Sequence, residues 1–291
     1  MDEGYFPRGR SVLRRVHGER LVGLHYGQRA LCIGALKPLN YVGTAEHTRQ
    51  KLTPFRRLAH TGKMFETIFF GTREEADRVL AMVHRMHERV NGALPEDAGP
   101  HYPRGTRYDA FDPQLMLWTV AVAADSAEHF YDLFVRRLEP AERESFWQDY
   151  IRFAELFGMP RDVAPPTYPD FRAWWDEQLS GEDLHLTPEA KVVGAFTAFE
   201  IPMPTHLQPA KRVHDLIMLG SLPARVRVLY GLSWSPRQEM AHRAVVRAMR
   251  AARPVTPKPL ARGYCTRYFD LVASTERRRI ERGRPTPQVA A

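Results

Sequence analysis

The 291-residue sequence has only two cysteines, Cys32 and Cys265. They form neither a CxxC pair nor a disulfide framework, and the lack of CxxCH excludes covalent c-type haem attachment. A Walker loop, a GxGxxG turn, HExxH and a GxSxG elbow are also missing. One ExxH, from Glu182 to His185, lies in a loop-like stretch, whereas a carboxylate-bridged di-iron bundle needs two on helices. These absences argue against nucleotide-binding, hydrolase and di-iron proteins.

Long apolar runs are scarce. The longest, interrupted by one threonine, extends from Leu115 to Ala124, which is about half of the roughly 20 residues that a membrane span needs. The first ten residues are acidic and then broken by glycine and proline, unlike a signal peptide. We therefore expect a cytoplasmic protein without a transmembrane segment.

Positive charge is in excess but is not concentrated. The formal charge is +8 and the pI is about 9.6, yet the basic residues are spread along the chain. Only ERRRIERGR, near the end, is dense, so we expect no nucleic-acid partner. A hydrophobic content of 44% and an aromatic content of 11% indicate a folded chain with a large core.

Helical periodicity dominates the sequence. It predicts helices over residues 28–37, 52–70, 73–90, 113–138, 140–158, 169–179, 187–199, 205–220 and 236–252. Proline marks four helix starts and glycine three helix ends: Pro113, Pro140, Pro188 and Pro236, then Gly92, Gly158 and Gly220. Residues 18–27 are predicted as a short hairpin or an extended arm. The fold class is mostly α: one bundle-like domain over residues 1–276, followed by a basic, flexible tail over 277–291.

A histidine interrupts the apolar stripe of the helix predicted over residues 73–90. The stripe consists of Ala76, Val79, Leu80, Val83, His87 and Val90. Its spacing of three and four assigns His87 to the core. Two interpretations follow: a core histidine bonded to a neighbouring carbonyl, or a neutral imidazole that an apolar wall presents to a metal. His84, one turn earlier, lies at the edge of the stripe and is the weaker candidate.

Polar groups also gather on one face of the helix predicted over residues 52–70. Arg57, His60 and Thr61 are neighbours there because residues three and four apart converge. A solvated face would more often carry Glu, Lys and Gln. The three residues either form a functional site or only brace contacts between helices.

The helix after Pro113 is apolar nearly all round, which is typical of a buried helix. Trp118, Asp125 and His129 share one side of it, and Glu128 lies nearby. Either Asp125 and Glu128 are buried polar groups, or burial ends before them.

Five stretches, in order and spacing, resemble the rubber-oxygenase family. They are RALCIGALKPLNYVGTAEHT, RRLAHT, VHRMHERVNG, YDAFDPQLMLWTVAV and FAELFGMP. The family includes the latex clearing proteins and the MpaB-type oxygenase of mycophenolic acid biosynthesis, and the likeness covers most of residues 5–186. This resemblance implies a mostly helical fold that encloses a pocket for non-covalent haem b and its iron.

The resemblance also implies roles for individual residues. The proximal iron ligand of the family falls on His87, and we expect His84, Val83 and Trp118 to contact the cofactor as well. The family's distal element falls on Arg57, His60 and Thr61. Arg57 would pair with a haem propionate or a buried carboxylate.

The distal position of His60 differs from the latex clearing branch, where the resemblance places a lysine. Here the histidine either ligates the iron as a second axial ligand or donates a hydrogen bond to dioxygen. Thr61 would orient His60 or a distal water. The catalytic base of the rubber-cleaving branch corresponds best to Glu46, which alternatively caps a helix, and Tyr41 and His47 are further candidates.

The function implied is that of a haem b-dependent oxygenase, which acts with dioxygen on an apolar small molecule by oxidative cleavage or hydroxylation. Cleavage of an unsaturated C=C bond is the best-known outcome in the family. Two alternatives belong to other classes: a non-catalytic haem-binding sensor or carrier, and a haem-free helical scaffold.

Overall fold

The computed structural model describes residues 4–47 and 53–283, which form fourteen helices and one small antiparallel hairpin. The first helices are α1 (Val12–His17), α2 (Arg20–Gly34), α3 (Pro38–His47), α4 (Pro54–Phe70) and α5 (Arg73–His87). The strands β1 (Asn91–Ala93) and β2 (Arg107–Asp109) follow, and then α6 (Pro113–Phe134), α7 (Pro140–Leu156), α8 (Tyr168–Ser180) and α9 (Pro188–Phe199). The last helices are α10 (Gln208–Ser221), α11 (Ala224–Tyr230), α12 (Pro236–Ala252), α13 (Lys258–Ala261) and α14 (Thr266–Glu281). The mostly α fold predicted from the sequence is confirmed.

Helix α6 lies at the centre of the fold. Most of its residues are buried, as expected for a helix that is apolar nearly all round. Its start is fixed by Asp112, whose carboxylate accepts hydrogen bonds from the amides of Gln114 and Leu115 at 2.8 and 3.1 Å. Helix α2 packs along α6, and α1, α3, α7 and α12 contact it as well.

The segment 18–27 is helical, so the prediction of a hairpin or extended arm was wrong: α2 begins at Arg20. Glycine is a poor helix former, but here it permits a close approach. A Cβ on Gly23 would lie 2.7 Å from the Sγ of Cys265. Packing of α2 on α6 offsets the low intrinsic helix propensity of its glycines.

The polar residues in the middle of α6 are buried and paired. Asp125 accepts hydrogen bonds from Arg29 of α2 and Arg172 of α8, both at 2.6 Å. Burial would raise the pKa of Asp125, but the two guanidinium groups outweigh burial and hold this pKa below its ordinary value. Glu128, also buried, accepts from the hydroxyl of Tyr168 at 2.6 Å. Burial therefore continues past Asp125, and this network joins three helices.

The helix boundaries agree with the punctuation of the sequence at most positions. All four predicted prolines stand at the first position of a helix. Gly158, with φ of +96°, follows the end of α7, whereas Gly220 lies inside the last turn of α10. Helix α5 ends at His87, three residues before the predicted end at Val90. The hairpin of β1 and β2 was not predicted, because three-residue strands carry no recognisable alternation.

Helix α14 runs antiparallel along α4. Glu66 of α4 contacts Thr266 at the start of α14, and Glu276 near the end of α14 contacts Thr53 before α4. Gly62 permits this approach, since a Cβ there would lie 2.6 Å from the ring of Phe269. The helix continues to Glu281, beyond the predicted start of the tail, and residues 284–291 lie outside the described residues.

Within residues 4–47 and 53–283, no helix combines the length and the apolar character needed to cross a membrane.

Candidate functional site

The candidate residues of the motif RRLAHT lie on α4, and those of the motif VHRMHERVNG lie on α5. Gly71 and Thr72 join these two helices. Thr72 and Glu75 form a capping box that fixes the start of α5. Arg57 stands 14 residues before the turn and His87 stands 15 residues after it, so both lie about 21–23 Å from the turn at 1.5 Å per residue. The two residues therefore lie at similar distances from the turn, on consecutive helices that contact each other.

His87 is the last residue of α5 and is half-buried. Its Nδ1 is a buried atom without a hydrogen-bond partner among the described residues. Burial lowers the pKa of His87 below its ordinary value, and His84 lowers it further, so the ring is neutral at pH 7. The rings of Phe111 and Phe157 flank it, with centroids 6.1 and 6.5 Å away. A neutral imidazole with an unbonded buried nitrogen is a group able to bind a metal.

His84 has a different environment from His87. Its Nε2 lies 3.2 Å from the carbonyl oxygen of Leu156 at the end of α7, so a backbone acceptor already holds this ring. Val83, with 5% of its surface exposed, belongs to the apolar wall behind the two histidines. Of the two imidazoles, only His87 presents an orphaned nitrogen.

Arg57 and Thr61 lie on one stripe of α4 together with Phe65, at spacings of four residues. The ring of Phe65 packs on Phe157 at 6.4 Å, and Phe157 lies beside His87. Phe65, one turn after Thr61, therefore belongs to the aromatic cluster next to His87. Both polar residues are half-buried.

Tyr41 of α3 contributes a second orphaned polar atom. Its hydroxyl is buried without a hydrogen-bond partner among the described residues. Burial raises the pKa of Tyr41 to about 12, Glu189 adds to the rise, and the positive charge of Arg57 opposes it. Burial also lowers the pKa of Arg57, which the nearby Tyr41 partly counters. A neutral phenol thus lies close to a partly desolvated cation.

Two of the other predicted residues, His60 and Trp118, are placed differently. His60 is exposed, beside the face of Arg57 and Thr61 and not within it. Trp118 is 1% exposed; its Nε1 donates to the carbonyl of Gly34 at 3.1 Å and its ring stacks on Trp175 at 5.4 Å. Its contacts therefore belong to the core. Glu46 and His47 end α3, and their side chains lie outside the described part of the chain.

Sequence reasoning missed Phe111 and Phe157, whose rings flank His87. Both residues stand within motifs of the resemblance, YDAFDPQLMLWTVAV and FAELFGMP, which was the one signal available. Periodicity offered no reason to attach them to His87, because they come from a loop and from the end of a different helix.

The comparison with known families agrees with this arrangement. Residues 14–251 match the family described as ER-bound oxygenase mpaB/B'/Rubber oxygenase, catalytic domain. The chain belongs to this family, so the resemblance inferred from the five motifs is confirmed. The class of chemistry is that of an oxygenase, an oxidoreductase that uses dioxygen and a small-molecule substrate.

Two curated relatives come from mycobacteria: the uncharacterized protein Mb2261 of Mycobacterium bovis and the uncharacterized protein Rv2237 of Mycobacterium tuberculosis. Each is 22% identical to this chain over 204 residues, which cover 70% of this chain and 76% of the relative. No solved structure matches the chain significantly.

Proposed function

We propose that this protein is a haem b-dependent oxygenase in which His87 is the proximal ligand and the substrate is an apolar, unsaturated small molecule. The observation that carries the proposal is the buried, unbonded nitrogen of a neutral His87 between the rings of Phe111 and Phe157. A cytoplasmic location is part of the same prediction.

The donor set fits a haem better than a bare metal ion. Among the described residues, no three His, Cys, Asp or Glu side chains converge as metal ligands. A porphyrin brings four nitrogens of its own, so one imidazole from the protein is enough. The rings of Phe111 and Phe157 supply apolar contact area beside that imidazole. When bound, haem supplies an iron that activates dioxygen.

The residues of the chain then have separate tasks. Arg57, a partly desolvated cation, pairs with a propionate, for which a planar guanidinium is suited. Thr61 and Tyr41 would offer hydroxyl groups as hydrogen-bond donors to a bound ligand, and Tyr41 is still protonated at pH 7. His60 stands at the rim of the site, where a change of rotamer decides between ligation and hydrogen bonding. Glu46 is kept as the proposed base because it shares α3 with Tyr41.

The aromatic wall of the site favours an apolar substrate. Phe111 and Phe157 flank His87, Phe65 packs behind Phe157, and the three rings offer no polar groups to a ligand. An unsaturated hydrocarbon chain gives up no hydrogen bonds to water when it binds against these rings, whereas a polar substrate would give them up.

Oxygen uptake tests the function. The protein is expressed with a haem precursor, and dioxygen consumption is followed as unsaturated apolar compounds such as short polyisoprenes and fatty acids are added. We expect uptake that depends on the compound and is lost in His87→Ala but kept in the matched control His84→Ala. Bound haem without uptake from any compound supports a sensor or carrier instead, and a colourless protein that refuses haem contradicts the proposal.

A further inference from the structure

One long segment of the chain is basic and contains no acidic residue. From Met240 to Phe269 there are seven Arg or Lys and no Asp or Glu, whereas the whole chain has 42 basic and 34 acidic residues. Arg253 and Arg262 bind the buried Glu19 at 2.7 Å each, although the side chain of Arg262 is 52% exposed. The other five cations are exposed: Arg243, which pairs with Glu239 at 2.5 Å, and Arg247, Arg250, Lys258 and Arg267.

The same segment exposes large apolar side chains. Twelve such side chains are exposed in the described chain, and four of them lie between positions 255 and 268. These are Val255 at 81%, Leu260 at 67%, Tyr264 at 51% and Tyr268 at 44%. Apolar groups that cluster in this way, among cations, are typical of a surface that binds a partner.

The segment 255–268 is held rigidly by Arg20, at the start of α2. The guanidinium of Arg20 donates to three carbonyl oxygens, those of Pro259 at 3.2 Å, Arg262 at 3.1 Å and Tyr264 at 2.6 Å. Because the backbone is fixed at three points, the apolar side chains are presented without a further ordering cost.

The segment 255–268 lies away from the candidate site. The ring of Tyr264 packs on Phe70, the last residue of α4, with centroids 5.2 Å apart. Phe70 lies next to the turn between α4 and α5, about 20 Å along the helices from Arg57 and His87. A partner bound to the segment 255–268 therefore does not cover these two residues.

We propose that the segment 255–268, together with Arg247 and Arg250 of α12, docks the protein onto an anionic lipid surface. The cations attract acidic headgroups, and the aliphatic side chains enter the boundary between headgroups and acyl chains. Tyr264 and Tyr268 suit the same boundary, where an aromatic ring with a polar tip is favoured. A nucleic acid would use the cations but would gain little from Val255 and Leu260, so the aliphatic side chains favour the lipid surface.

Vesicle sedimentation with the full chain tests the docking. We expect binding to phosphatidylcholine vesicles that contain phosphatidylserine, weak binding to phosphatidylcholine alone, and loss of binding in high salt. The double variant Lys258→Gln, Arg267→Gln should bind about 25-fold more weakly, at about five-fold per cation. Val255→Ser with Leu260→Ser should weaken binding as well, by about ten-fold or more.

Matched controls are exposed residues elsewhere on the surface, Arg137→Gln and Val228→Ser, which should bind like the parent. Unchanged thermal unfolding shows that each variant is folded. No binding of the parent to the acidic vesicles overturns the proposal. Binding that survives the serine variants, alongside equal binding to a single-stranded oligonucleotide, overturns it too and assigns the cations to nucleic acid.

Discussion

The carboxylate of Glu276, near the end of α14, caps the first turn of α4 through the hydroxyl of Thr53. It also accepts hydrogen bonds from the amides of Phe55 at 3.3 Å and Arg56 at 3.1 Å. The arrangement is reciprocal, because Glu66 of α4 accepts from the first residues of α14. Each helix thus caps the other, and α14, which lies outside the family match over 14–251, holds the helix that carries Arg57.

Glu276→Gln should weaken this cap and destabilise the protein by about 1–2 kcal/mol, since the amide loses the charge that favours a helix start. Amide hydrogen exchange of Phe55 and Arg56 should become faster. Glu66→Gln is the matched control: it should cost similar stability at the other end of the helix pair but leave exchange at Phe55 and Arg56 unchanged. Equal exchange at these amides in both variants would show that Glu276 does not hold α4.

Replacement of Arg57 tests its pairing with a propionate. Arg57→Ala should weaken haem binding by about 10- to 100-fold, since a charge-assisted hydrogen bond is worth roughly 1.5–3 kcal/mol. Arg57→Lys should recover only part of this loss, because an ammonium lacks the planar fork. Titration of the apoprotein with haem measures the effect. Arg56→Ala, at an exposed neighbouring position, is the control, and equal affinity of Arg56→Ala and Arg57→Ala for haem would contradict the pairing.

Removal of the Tyr41 hydroxyl distinguishes a structural role of this group from a functional one. It has no hydrogen-bond partner in the described fold, so Tyr41→Phe should leave the unfolding free energy within about 1 kcal/mol of the parent. Oxygen uptake should fall by about ten-fold or more if this hydroxyl donates at the site. Tyr5→Phe is the reverse case: it removes a hydrogen bond to Asp77 and should leave uptake unchanged. Parent-like uptake in Tyr41→Phe would remove this residue from the site.

The buried His17 and His25 and the half-buried His129 predict a loss of stability in acid. Burial lowers the pKa of His17, His25 and His129 to about 3 each, against about 6.5 in an unfolded chain. As the pH falls from about 6.5 toward 3, the unfolded chain takes up protons that the folded protein refuses, so unfolding is favoured. Each histidine contributes up to about 1.4 kcal/mol per pH unit.

His129→Leu should reduce this slope by roughly a third, because it removes one titrating ring whose Nε2 has no partner in the described fold. Urea unfolding at several pH values between about 7 and 5 measures the slope. A free energy of unfolding that stays constant over this range would show that the rings are not buried as neutral groups.

The sequence predicts α6 and its neighbours well, because an apolar surface on all sides and a proline at the first position act locally. It predicts the second half of α2 but fails at the first half, where the helix packs against α6 and Gly23 lies close to Cys265. The capping of Thr53 by Glu276 spans 223 residues and leaves no local signal.

The candidate site shows the same division. Helical spacing correctly groups Arg57 with Thr61, but the exposure of His60 depends on how α5 and α14 pack against α4. Trp118 was expected near the cofactor on the basis of one helix face, yet a helix that is buried all round gives its side chains no preferred direction. The ring of Trp118 therefore packs in the core, against the ring of Trp175.

Ligation of haem by His87 is best tested with the visible absorption spectrum of His87→Gly, recorded beside that of the parent after expression with a haem precursor. We expect a Soret band in the parent protein and a lost or shifted band in the variant. Free imidazole should restore the parent spectrum of the variant, since it occupies the position that the His87 side chain has left. His84→Gly should keep the parent spectrum. A parent-like spectrum in His87→Gly, or no haem in the parent, would contradict ligation by His87.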